Sequence, residues 1–269
     1  MPELPEVEHA RRSLEGWLVG TRIASITVHD ARILDEGVRP AEVRSALEGR
    51  RVKAIERRGK WLRIALDQGA FFSHLGMTGK WVKARPDDAP VRLERVRLDV
   101  LAGRTRRSVR YQDARLFGRF AAPAEDLPVW SELGPDPLVD GIDVDALQAK
   151  LARRKLAIKP TLLDQTVLAG VGNIYATEAL FAARIDPRRP ARDLSRAEIT
   201  ALARALRQSI AKALKRDAGP TITYVEEAGA SNPFAIYGSE GSKCPRCRRP
   251  LAKMILAGRG TVFCSDCQK

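Results

Sequence analysis

The first six residues, Met1-Pro2-Glu3-Leu4-Pro5-Glu6, set a candidate nucleophile beside two proton carriers. The small side chain of Pro2 permits removal of the initiator Met1, which would leave the α-amine on Pro2. That amine is secondary with a reference pKa near 8, so roughly a tenth of it is neutral at pH 7, a few hundred times more than a lysine amine. A neutral secondary amine can attack a sugar aldehyde carbon and leave a cationic iminium, an electron sink that acidifies the neighbouring C–H bond. Glu3 and Glu6 are carboxylates close enough in sequence to move the protons. The plain alternative is an extended arm stiffened by two prolines, and the rest of the chain decides between the two.

A second chemical group closes the sequence. All four cysteines fall in the last 26 residues, as Cys244-Pro245-Arg246-Cys247 and Cys264-Ser265-Asp266-Cys267 with sixteen residues between the pairs. A disulfide framework would be spread over the fold. Two CxxC knuckles at this separation instead form a four-thiolate tetrahedral site for one Zn2+. Four protein ligands leave no open position, so this zinc is structural and any catalysis lies elsewhere. Leu251–Leu256 and Thr261–Phe263 read as the strands of a hairpin, with Gly258-Arg259-Gly260 as a tip that offers Arg259 to a phosphate.

These groups need a scaffold and a partner. The chain has 269 residues, enough for two or three compact units, with 47 Lys+Arg against 33 Asp+Glu for a net charge of +14. Such a surplus points to a polyanion, of which nucleic acid is the commonest, although an RNA-binding or ribosome-associated role fits the charge equally well. No run approaches 18 unbroken apolar residues and the N-terminus has no signal pattern, so a cytosolic protein with no membrane partner is expected. Nothing suggests oligomerisation, and a monomer is the default.

The apolar positions Val7, Ala10, Leu14 and Trp17/Leu18 mark a helix from Val7, with Gly16 and Gly20 to close it. Its N-terminus would lie toward Pro2, where the dipole favours Glu3 and Glu6 as anions. Short alternating runs follow at Ile23–Val28, Arg51–Glu56, Trp61–Leu66, Ala70–Leu75, Arg95–Val100, Ser108–Tyr111 and Gly118–Phe120. Their spacing predicts an antiparallel sandwich or barrel, with one short helix at Ala41–Leu47. Three loops stand out in it: basic Arg57-Arg58-Gly59-Lys60, His74-Leu75-Gly76-Met77-Thr78-Gly79, and Asp113-Ala114-Arg115-Leu116-Phe117-Gly118. Met77 and Phe117 at loop tips suit wedges pushed into a base stack; the alternative is that they fold back onto the sandwich. Leu127 to Pro137 reads as a linker. Helices are predicted at Val144–Arg153, Ile158–Leu163, Gly172–Ala183 and Ser195–Arg216, the last with a Ser195/Glu198 capping box. Gly170-Val171-Gly172-Asn173 before a helix is a place for a phosphate. A connector follows from Asp217 to Ser242.

The proline-started arm, sandwich, glycine-turn helical unit and CxxC ribbon together resemble the formamidopyrimidine-DNA glycosylase family over essentially the whole chain. The segments that carry the likeness are MPELPEVE, RRGKW, HLGMTG, GVGNIYA and the C-terminal CPRC with GRGT and its second cysteine pair. The resemblance implies an α+β multidomain fold: an N-terminal catalytic β-sandwich with its helix (1–128), a helix-two-turns-helix DNA-binding domain (135–220) and a C-terminal zinc-ribbon hairpin (235–269). It also implies excision of oxidised purines from damaged double-stranded DNA, with lyase activity at the resulting abasic site.

By that resemblance Pro2 is the Schiff-base nucleophile, Glu3 the general acid/base at the sugar, Lys60 a participant in β-elimination and Arg259 in δ-elimination. Glu6 would relay protons near the flipped nucleotide. Lys60, His74, Asn173, Tyr237 and Arg259 would hold phosphates, while Met77, Arg115 and Phe117 would fill the gap left by the extruded base. Arg154 and Lys159 stand where the family has basic residues near DNA. The sequence also departs from the family. Leu116 and Leu93 occupy positions that usually carry basic or polar groups, so the resemblance brings no DNA contact there. The stretch from Tyr224 to Tyr237 is short and lacks the Gly-Tyr-Phe segment of the loop over the everted purine. Two alternatives remain open: an endonuclease VIII-like enzyme for oxidised pyrimidines, against which Leu4 stands where those enzymes carry Gly, and a non-catalytic zinc-ribbon DNA binder.

Overall fold

The structure, a computed structural model, describes residues 2–122, 127–217, 219, 222–225, 227 and 229–269. Met1, residues within the expected domain limits (123–126, 218 and 220) and residues 226 and 228 of the short 225–236 stretch lie outside the described residues. The chain divides into two compact units, residues 1–131 with 217–224, and residues 132–216 with 225–269.

The first unit begins with α1 (Leu4–Leu18), three residues earlier than the apolar spacing predicts. Pro5 lies in its first turn, where a missing N–H breaks no helical bond and a φ fixed near −65° suits the backbone. Leu4, Val7, Ala10, Leu14 and Leu18 form its buried stripe. Gly16 lies inside the helix and does not close it; Val19 turns the chain to extended geometry and Gly20 follows at φ +81°. After α1 come β1 (Arg22–Val28), α2 (Pro40–Leu47), β2 (Val52–Arg58), β3 (Trp61–Leu66) and β4 (Ala70–His74). Then follow β5 (Lys80–Ala84), β6 (Glu94–Ala102), β7 (Thr105–Gln112) and β8 (Arg119–Ala121).

Two four-stranded antiparallel sheets result, ordered β1-β6-β7-β5 and β2-β3-β4-β8. Val7 and Leu14 of α1 share one buried cluster with Ile64 and Phe71 of one sheet and Leu98 and Val109 of the other. The expected sandwich is therefore present, with α1 packed into its core. The β2–β3 turn is only Gly59-Lys60, since Arg58 pairs with Trp61. Gly59 has φ +58°, the left-handed start that tight hairpins require. A short helix, α3 (Pro128–Glu132), interrupts the expected linker, and its Trp130 meets Phe72 edge-on at 5.6 Å.

The second unit holds α4 (Val144–Ala152), α5 (Ile158–Leu163), α6 (Asn173–Ala183) and α7 (Arg196–Arg216), then β9 (Ala252–Leu256) and β10 (Arg259–Phe263). Asp143 caps α4 through its carboxylate. At α7, the Ser195 N–H donates to Glu198 Oε2 (2.8 Å) and the Glu198 N–H to Ser195 Oγ (3.3 Å), the reciprocal box that the sequence indicates. Leu151, Ile158, Leu162, Leu180, Leu202 and Leu206 form the helical core.

Candidate active site and nucleic-acid interface

At the start of α1, Pro2 and Glu3 are buried, and Glu3 is the N-cap residue with extended backbone. The Glu3 N–H donates to Glu6 Oε2 at 2.9 Å, which binds the Glu6 carboxylate to the first turn of its own helix. Folding thus brings Pro2, Glu3 and Glu6 together at a helix N-terminus, where the dipole favours anionic carboxylates.

The turn that presents Lys60 is fastened to the same helix through Glu8, which the sequence did not single out. Glu8, one turn after Leu4, accepts from Arg57 Nε at 3.0 Å, and this pair is almost wholly buried. Arg57 Nη1 donates to the carbonyl of Gly59 at 3.0 Å, the residue before Lys60. Burial raises the Glu8 pKa, but hydrogen bonds from Arg12 and Arg57 outweigh it and hold the carboxyl below its ordinary value. One carboxylate therefore joins the helix that starts at Glu3 to the turn that presents Lys60. The signal available in sequence was an acidic residue three and four positions before Arg11 and Arg12.

His74 lies opposite Trp61 in the β3–β4 ladder, with ring centroids 4.9 Å apart. Burial and the nearby charges of Lys60 and Arg119 push its pKa down to about 4, so it is neutral at pH 7. The Gly76 N–H donates to Nδ1 (3.1 Å), which fixes the tautomer with its proton on Nε2. That ring can donate a hydrogen bond to a phosphate without adding charge.

Met77 is half-buried, whereas Phe117 is 52% exposed. The Arg115 guanidinium sits 4.9 Å over the Phe117 ring. Leu116 takes φ +56° and packs against the sandwich core, and Leu93 accepts the Asp113 N–H (3.0 Å) through its carbonyl. Both leucines serve the fold in this way.

In the second unit, Arg259 is exposed and pairs with Leu256 as the first residue of β10. The tip of the hairpin is Ala257-Gly258, at φ +48° and +72°, and not the expected Gly258-Arg259-Gly260. The next residue, Gly260, offers its carbonyl to Asn173 Nδ2 (3.1 Å) and Lys159 Nζ (3.2 Å). Lys159 is only 1% exposed, and its ammonium also donates to Thr261 Oγ1 at 2.7 Å. That charge therefore braces the base of the Arg259 strand from inside the unit. Asn173 opens α6 after Gly172, as the glycine turn suggests, while the Gly170 N–H is taken by Gln165 Oε1 (2.8 Å). Arg154 pairs with Asp164 at 3.0 Å. Tyr237 meets Phe234 edge-on at 5.8 Å, and its N–H is one of three in succession, from Ala235 to Tyr237, that Glu178 accepts.

The four cysteine sulfurs lie within 4.8 Å of one another. Cys244 and Cys267 are 3.9 Å apart and Cys247 and Cys264 3.4 Å. Four sulfurs at about 2.3 Å from a central Zn2+ would stand roughly 3.8 Å apart, so the quartet fits the ion with little adjustment.

A sandwich opened by a buried Pro-Glu pair, a helix-two-turns-helix unit and a four-thiolate hairpin define a zinc-finger protein of the helix-two-turns-helix class. Sequence profiles agree: residues 1–120 match the formamidopyrimidine-DNA glycosylase N-terminal domain, 133–225 its H2TH domain, and 241–269 the zinc finger found in FPG and IleRS. The chain belongs to the formamidopyrimidine-DNA glycosylase family. It is 38% identical over 275 residues to the formamidopyrimidine-DNA glycosylase of Stutzerimonas stutzeri, covering all of both chains. It is structurally similar to Lactococcus lactis Fpg in complex with Fapy-dG-containing DNA (TM-score 0.87, 32% identity, 99% of this chain and 100% of that one). A MutM complex with carbocyclic 8-oxo-G-containing DNA matches with the same TM-score of 0.87 and 32% identity over all of both chains.

Proposed function

We propose that this chain is a base-excision-repair glycosylase that removes oxidised purines from duplex DNA, with an associated lyase activity that cuts at the abasic site. The observation that carries the reading is the Pro2-Glu3 pair buried at the start of α1, with Glu6 tied to the Glu3 N–H. Full-length likeness to proteins solved on Fapy-dG and 8-oxo-G DNA supports oxidised purines as the substrate class. A DNA substrate supports work in the bacterial cytosol, at the nucleoid.

The chemistry starts with extrusion of the damaged nucleotide, which costs less than opening an intact pair. Once Met1 is removed, the Pro2 nitrogen attacks C1′ of the sugar. The bond from C1′ to the base breaks, and the base leaves with a proton. The sugar ring opens to an iminium on Pro2, and Glu3, the carboxylate next in sequence, exchanges protons at the sugar. Loss of the C2′ proton expels the 3′ phosphate, with Lys60 assisting. A second elimination expels the 5′ phosphate, with Arg259 assisting, and water then releases the sugar fragment and restores the amine. His74, Asn173 and Tyr237 hold phosphates, which positions the strand without reading its sequence. Zinc shapes the hairpin and takes no part in bond breaking.

Borohydride trapping tests the mechanism. Native protein with 8-oxoguanine or abasic duplex should give a covalent protein–DNA adduct, and protein whose Pro2 nitrogen is blocked by acetylation should lose it along with about a hundredfold or more of strand cleavage. An adduct that persists when the Pro2 nitrogen is acetylated would reassign the nucleophile. Parallel incision of duplexes carrying 8-oxoguanine, formamidopyrimidine or thymine glycol tests the substrate: cleavage of thymine glycol alone would move the enzyme to oxidised pyrimidines.

A further inference from the structure

We propose that Asp113 is a positioning residue that locks the Met77 loop and the Arg115–Phe117 loop into one wedge, so that both enter the base stack together. The proposal rests on the DNA-glycosylase reading above. Asp113 is 1% exposed, and its carboxylate is occupied on both oxygens. Oδ1 accepts from the Thr78 hydroxyl at 2.5 Å and from the Arg115 N–H at 3.0 Å. Oδ2 accepts from the Gly118 N–H at 2.8 Å. Thr78 follows Met77, and Arg115 and Gly118 bracket Leu116 and Phe117. One carboxylate thus anchors the residue after the first wedge and both ends of the segment that carries the second. The Thr78 hydroxyl completes the joint by accepting from the Arg115 N–H at 3.3 Å.

Backbone packing makes the joint tight. A Cβ on Gly76 would stand 2.3 Å from the carbonyl carbon of Phe117, so the two loops touch main chain to main chain beside the wedge. A Cβ on Gly79 or Gly118 would meet the buried Tyr111 hydroxyl at 2.0 or 1.8 Å, so the Tyr111 side chain lies against the base of both loops. The Asp113 backbone is held in turn, its carbonyl by Arg95 Nε at 2.8 Å and its N–H by the Leu93 carbonyl. Loops joined by a buried carboxylate with three donors cannot shift separately without leaving a polar group unpaired. A wedge that must displace a stacked base benefits from that stiffness; a site whose base is already gone needs it far less.

Asp113→Asn tests this with little change of shape, because the amide keeps one acceptor and turns an NH2 toward a backbone or hydroxyl donor. Thr78→Val removes the hydroxyl, and Thr78→Ser restores it. Each full-length variant is assayed in single turnover on duplex with paired 8-oxoguanine and on duplex with a preformed abasic site. A 2-aminopurine beside the lesion reports unstacking. Asp113→Asn and Thr78→Val should slow excision of the paired lesion about tenfold or more while abasic cleavage stays within about threefold, and Thr78→Ser should behave as native. The 2-aminopurine rise should slow in parallel with excision. Equal losses on both duplexes, or no loss on the paired lesion, would overturn the proposal. Phe117→Ala separates the layers: unchanged excision there removes the wedge and the proposal with it, whereas a native chain inactive on both duplexes means that the glycosylase reading itself has failed.

Discussion

The first unit holds its candidate reactive residues with buried charge on a large apolar core, whereas the second holds Arg259 on a hairpin with little core of its own. Among the described residues, 24 buried side chains form the sandwich cluster. The cluster at the zinc hairpin has six, and two of those are Cys244 and Cys264. At the N-terminus, preorganisation comes from carboxylates that already have partners: Glu6 on the Glu3 N–H and Glu8 on Arg57. At the hairpin it comes from four thiolates that need an added ion, and from Lys159 and Asn173 on the Gly260 carbonyl. The candidate reactive residues at the N-terminus sit where the fold is self-sufficient, and Arg259 is carried by a smaller, metal-dependent element.

Removing zinc should expose this difference most strongly. Structural zinc sites of this kind contribute on the order of 10 kcal/mol, far more than six buried side chains can replace. Chelation should therefore unfold the hairpin and weaken DNA binding while the sandwich keeps its own melting transition. Calorimetry with a zinc-release dye reads both, and a single transition lost as a whole on chelation would show that the units are not independent.

The next effect belongs to the other side of the comparison. Glu8→Leu leaves the buried Arg57 guanidinium without its carboxylate, a loss of about 3–5 kcal/mol for such pairs. The sandwich transition should fall accordingly, and lyase activity should drop through the Gly59-Lys60 turn even where the variant remains folded. Lys159→Met should cost less, about 1–3 kcal/mol, because it removes one buried donor and keeps most of the volume. Its effect should appear in the second unit alone, read as faster amide exchange at Gly260 and Thr261. Equal exchange in native and variant chains would mean that the ammonium does not hold the strand.

Features set by spacing could be read directly from the sequence. The cysteine pairs, the Ser195/Glu198 box, the α5 limits and most strands rely on short-range patterns that survive without knowledge of the fold. What could not be read depends on partners distant in the chain. The strand β5, Lys-Trp-Val-Lys-Ala, is short and lies at a sheet edge with lysines at its first and fourth positions, so it resembles the loop that precedes it. The start of α1 was obscured because Pro2 before it and Pro5 within it suggest an arm, although proline is tolerated in a first helical turn. Lys159 reads as a surface cation until Gly260 and Thr261, about a hundred positions later, are seen to close over it. Asp113 carries no local pattern for its role, and the spacing of Glu8 to Arg11 and Arg12 does not reveal the distant Arg57 that it joins.

The smallest expected effect concerns His74, which sharpens the account of how the first unit treats charge. Its folded pKa of about 4 lies below the ordinary value of 6.5, chiefly through burial and secondly through Lys60 and Arg119. Between those values the unfolded chain binds a proton that the folded chain refuses, so stability rises with pH across this window. As pH falls from 7 towards 4, His74 should subtract on the order of 1–2 kcal/mol after allowance for its partial exposure to water. The sandwich melting temperature should therefore fall over that range in native protein and fall less in His74→Gln. If both chains show the same slope from pH 6.5 to pH 4.5, the imidazole is not held neutral. In that case the ring would add a charge to the phosphate grip, and the affinity of native protein for DNA at pH 5 should then rise relative to His74→Gln.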